Sequence, residues 1–115
     1  MLFDPEREAR QLFELGKPNL KALSYALRHR ELWPKCFKWD FCDCKTCAMG
    51  LAYCLWVEID APIMFFVCKH LGLAPLMASK LFLGHNYFYG RQIPYDNITP
   101  EMVADAIDAY LGGLI

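Results

Sequence analysis

Seven prolines and seven glycines punctuate this 115-residue chain, and their positions limit it to short helices. Proline is tolerated in a first helical turn because the N–H it lacks has no intrahelical partner there, and glycine closes a last turn in the left-handed conformation. Asp4-Pro5 and Gly16 bracket one stretch with Ala9, Leu12 and Phe13 on a shared face. Pro18 opens a second, carrying Leu20, Leu23, Leu27 and Leu32, which should stop before Trp33-Pro34 because a residue preceding proline is pushed out of the helical region. In a third, capped by Asp43 or Thr46, Cys47, Leu51, Cys54 and Leu55 fall on one stripe. Asp60-Ala61-Pro62 starts a nearly uniformly apolar helix from Ile63 to Leu71, with Gly72 as its stop, and apolarity all round implies burial. Pro75 to Leu83, ended by Gly84, makes another. Thr99-Pro100-Glu101 starts the last, whose stripe is Val103, Ala106, Ile107, Tyr110 and Leu111, with Gly112 at its end.

The residue types agree with helices. Val, Ile and Thr together number eleven, against sixteen Leu and eleven Ala, and β-branched side chains are the ones that suit strands. The expected fold is all-α: a single domain over residues 1–115 of five or six short helices, with an irregular aromatic segment, Pro34 to Phe41, before the cysteine-bearing helix. Residues 85–98 read as the longest loop. Counted with Gly and without Tyr, 65 of the 115 residues are apolar, above the usual ~45–50%. A domain this small has little interior for them, so part of that surface is expected at a subunit interface, in a partner groove or around a ligand.

A net charge of −1 does not mark a nucleic-acid binder, and nucleic acid is not the expected partner. Residues 17–45 hold a local excess of four positive charges, while four acids and no base follow Arg91. Self-complementary ends and solvated helix faces account for this more simply than a basic docking face for phosphate or an acidic partner. The start, MLFDPEREAR, is charged from residue 4 and has no apolar signal core, and no apolar run approaches ~18 residues. A cytoplasmic location without membrane contact is therefore expected, and with it reduced thiols.

Five of the six cysteines crowd between Cys36 and Cys54. A thiolate zinc or iron–sulfur site on Cys36, Cys42, Cys44 and Cys47 is one reading, with Cys44-x2-Cys47 as its good pair. Cys54 cannot readily join such a site, because seven helical residues from Cys47 advance ~10.5 Å. A second reading makes Cys44 or Cys47 a nucleophile at a helix start, with His85 as base and Asn86 or Asp96 as orienter, since CKTCAMGLA distantly resembles the nucleophile helix of papain-like peptidases. The third makes Cys47, Cys54 and Cys68 small core fillers beside Leu51, Leu55 and Phe65, with Cys44 the most accessible thiol. Buried packing with a satisfied indole N–H is expected of Trp33, Trp39 and Trp56. His29 and His70 read as surface residues near helix ends.

The blocks WPKCFKWDF, CxxCAMGLA and ITPEMVADAIDAYL together resemble small helical bacterial and phage proteins in domain families of unknown function, over roughly residues 18–112. The resemblance implies an α-helical fold and supplies no activity or site residue. With no complete catalytic set and no cofactor expected, the functional expectation is a small cytosolic protein-interaction or regulatory protein, homo-oligomeric or bound to a protein partner. The thiolate metal site is its alternative.

Overall fold

Asn19 shows how locally these elements are specified. Its side-chain oxygen accepts a hydrogen bond from the Ala22 N–H at 2.9 Å, satisfying a backbone donor that the first helical turn leaves open. The computed structural model describes residues 5–35, 37–39, 48–56, 67–82 and 98–113. These form α1 (Pro5–Glu14), α2 (Leu20–Arg28), a 3₁₀ turn (Arg30–Leu32), α3 (Ala48–Trp56), a π-helical turn (Val67–Leu71), α4 (Pro75–Phe82) and α5 (Pro100–Leu111). The protein is all-α, and no strand occurs among the described residues.

The terminators act largely as their chemistry dictates. Gly16 and Gly72 adopt φ of 70° and 69°, a region that costs other residues ~1–2 kcal/mol. Thr99 caps α5, accepting from Met102 N–H at 3.2 Å with Pro100 in the first turn. At the other end of α5 the left-handed residue is Gly113, at φ 77°, while Gly112 stays right-handed. The second helix departs from expectation at both ends. Pro18 lies outside it because Asn19 takes the cap, and the helix breaks at His29, whose backbone leaves the helical region before the chain tightens into the 3₁₀ turn that holds Leu32.

One apolar cluster joins α2, α3, α4 and α5: Leu23 and Leu27, Met49 and Leu51, Leu73 and Leu81, Val103 and Ile107 are all buried in it. α2 is the hub, packing most extensively on α5 and α1. α1 closes the side of the core through buried Ala9 and through Phe13, which sits against the Tyr25 ring at 5.9 Å and edge-on to Trp56 at 6.0 Å. The non-helical residues 37–39 lie against this core. Phe37 is buried, Trp33 meets it edge-on at 5.3 Å, and Trp39 donates its indole N–H to the Ile98 carbonyl at 3.0 Å. Trp33 likewise donates to Ala26 O at 2.7 Å, so these half-buried indoles are satisfied.

Two assignments to the core are corrected. Cys54 is exposed, although it shares the predicted stripe with Leu51 and Leu55. The first five residues of α3 are buried on every side, but its carboxyl half emerges from the core, and position 54 lies on the flank that faces out. Cys68 is exposed too, because the π turn presents Cys68, Lys69 and His70 outward while Leu71 is buried. Leu111 is the third departure: it follows Ile107 by four residues, yet is 42% exposed because the last turn of α5 runs past the core.

Candidate docking groove between α1, α2 and α5

The residues of α1 divide into two stripes. Ala9 and Phe13, four apart, face the core; Glu8 and Leu12, also four apart, form a second line beside it, extended by Leu15 in the turn that follows the helix. Glu8 and Leu12 make one wall of an open groove of about 490 Å³. Leu20 at the start of α2 and Leu71 at the end of the π turn line its buried apolar side, and Tyr110 with Leu111 forms the opposite wall. Gly72 lines it as well, and its left-handed backbone directs the chain away toward α4. Leu15, 68% exposed, continues the α1 wall one turn beyond Leu12.

One pair of opposite charges marks the rim. Lys21 Nζ lies 2.7 Å from Glu8 Oε1, with the two side chains 40% and 38% exposed. As a pair they carry no net charge. The groove's remaining polar groups, Asn19 and the half-buried Tyr110, supply no nucleophile and base within reach of each other. The shape and chemistry suit an apolar surface with polar edges, the composition of a protein-docking face.

A second polar region ties α2 to α5. Ser24, only 4% exposed, donates its hydroxyl to Asp108 Oδ1 at 2.7 Å. Arg28 Nη2 reaches Asp105 Oδ1 at 2.7 Å and Asp108 Oδ2 at 2.6 Å, and Arg30 pairs with Glu101 at 3.2 Å while lying 5.7 Å from the centre of the Trp33 ring. Burial lowers the Arg28 pKa, but the hydrogen bonds and charges of Asp105 and Asp108 outweigh it and hold the guanidinium above its ordinary value. Burial likewise raises Glu101, yet a backbone hydrogen bond together with Arg30 and the Thr99 hydroxyl takes it below the ordinary carboxylate value. The basic excess of residues 17–45 is thus partly consumed inside the molecule. Arg28 and Arg30 meet three of the four acids beyond Arg91, the self-complementary arrangement expected from the charge pattern.

His29 is held rather than free on a surface: its Nδ1–H donates to the Tyr25 carbonyl at 2.8 Å, and its ring lies 4.1 Å from that of Tyr25. Cys36, Cys42, Cys44 and Cys47, and His85, Asn86 and Asp96, lie outside the described residues. Among the described residues, no group of three or more His, Cys, Asp or Glu is placed to hold a metal ion, and no helix is long and apolar enough to cross a membrane. No family model, curated protein or solved structure matches the chain.

Proposed function

We propose that this chain is a small cytosolic protein-interaction or regulatory protein that self-associates. The observation that carries the reading is Leu15, a leucine left two-thirds exposed beside a groove lined by Leu12, Leu20, Leu71 and the partly exposed Leu111. Leaving such side chains in water forgoes ~25 cal/mol per Å² of apolar surface, which association recovers. The near-neutral net charge of −1 offers little electrostatic opposition to contact between copies. Fluorescence of a hydrophobic dye, read beside light scattering on a sizing column, tests the proposal. Dye binding that declines as the protein is concentrated and its mass rises supports it; a monomer that binds no dye removes its basis.

The alternative is a thiolate zinc or iron site on Cys36, Cys42, Cys44 and Cys47, which the crowding of these thiols in the sequence favours. Structural metal binding is coupled to folding. Metal analysis of the freshly purified, untagged protein should then find near-stoichiometric zinc or iron and a loss of stability with chelator. Substoichiometric metal and stability indifferent to chelator end this alternative.

A further inference from the structure

The continuous buried cluster draws residues from α2, α3, α4 and α5, and among the described residues none from α1. Ala9 is the one described side chain of α1 that is buried, and Phe13 is partly buried against the cluster from outside, touching the Tyr25 and Trp56 rings. The charges that fasten α1 are at the surface: Glu8 on Lys21 at 2.7 Å, and Glu6 3.8 Å from His29 Nε2, where water and salt weaken such pairs. The joint to α2 is loose as well. Leu15, Gly16 and Lys17 are exposed, and Gly16, at φ 70°, has nothing within 4 Å of an added Cβ. Each helix is also closed by its own groups. Gly16 N–H donates to Phe13 O and Lys17 N–H to Leu12 O at the end of α1, while the Asn19 side chain and carbonyl receive the Ala22 and Leu23 N–H groups at the start of α2. Rotation at Gly16 and Lys17 therefore moves α1 without dismantling the α2 cap. We propose that α1 is a releasable strap, which swings off as a unit about Gly16 and Lys17 while α2 to α5 stay packed, and which uncovers an aromatic face carrying Tyr25 and Trp56. Every contact involved lies within one chain, so the inference stands apart from the self-association reading.

Native-state hydrogen exchange of the dilute full-length protein, in urea concentrations too low to unfold it, tests this. The α1 amides should exchange through an opening at least ~tenfold more populated than the one that exposes the α2 and α5 amides. Their exchange should also quicken with urea, though less steeply than that of α2 and α5, because release exposes the covered face but not the core. A rate indifferent to urea overturns the proposal, since the helix then only frays in place. A population and urea dependence equal to those of α2 overturn it too, since α1 then leaves only when the whole chain unfolds. Phe13→Ala, which removes the ring between Tyr25 and Trp56, should speed α1 exchange by ~tenfold and leave α2 and α5 within ~threefold of the wild type. Acceleration of all three helices together, or none in α1, contradicts the strap. Loss of the helical circular dichroism in Phe13→Ala contradicts it as well, because the core would then depend on α1.

Discussion

Ser24 and Asp108 set the energetics of the α2–α5 seam at the scale of single residues. A buried hydroxyl stripped of its acceptor loses both the hydrogen bond and its hydration. Asp108→Ala, which also removes one of the two carboxylates on Arg28, should cost about 1–2 kcal/mol in urea unfolding, whereas Glu101→Gln at the more exposed Arg30 pair should cost less than ~1 kcal/mol. pH separates the two charges further. Arg28 is raised from an already high value and stays protonated throughout the acid range. Glu101 is lowered from its ordinary 4.5, so the stability it contributes is fully present above that value and is lost as pH falls through the lower folded value. The urea midpoint of the wild type should therefore fall more steeply than that of Glu101→Gln between about pH 5 and about pH 3; equal slopes would assign no role to the Arg30 pair. The thiols make a third prediction. Cys54 and Cys68, exposed in the structure, should both alkylate without denaturant, and Cys54→Ser should change stability by less than about 0.5 kcal/mol. Slow labelling of either would return it to the core.

Among the elements, starts were more legible in the sequence than ends and breaks. Asp4-Pro5 and Thr99-Pro100 mark the starts of α1 and α5 because proline and a capping hydroxyl act on neighbouring backbone alone. The break at His29 has no such local mark. Leu32, five residues beyond Leu27, would lie ~140° around a continuous helix from it, and it falls instead in the 3₁₀ turn that follows the break. Cys54 was misread for a related reason: the period of a stripe says which side of a helix is apolar but not how far along the helix the core extends. The local devices give a direct check. Asn19→Ala should destabilise by about 1 kcal/mol through the lost cap of α2. Gly72→Ala should cost a similar ~1–2 kcal/mol, from its backbone angle and not from crowding, since an added Cβ there meets nothing within 4 Å. A Gly72→Ala protein as stable as the wild type would mean that the turn relaxes to another conformation.

For the whole molecule, apolar excess was visible in the composition, but its location was not. The groove is assembled from residues 8–21, 71–72 and 110–111, segments that only the tertiary fold brings together, and no spacing along the chain announces it. The spacing groups Leu12 with Ala9 and Phe13, whereas in the fold Leu12 lines the groove beside Glu8 while Ala9 and Phe13 meet the core. A stable interface buries ~800 Å² from each partner, more than a few leucine side chains supply. Self-association through this face would therefore have to draw in surface beyond the groove. Sedimentation equilibrium of the unmodified protein across a dilution series tests this most directly. Self-association through this face gives a mass rising with concentration toward about twice 13.3 kDa, with the rise absent in Leu15→Asp. A mass fixed at 13.3 kDa across the series, or a rise that Leu15→Asp leaves unchanged, would contradict it.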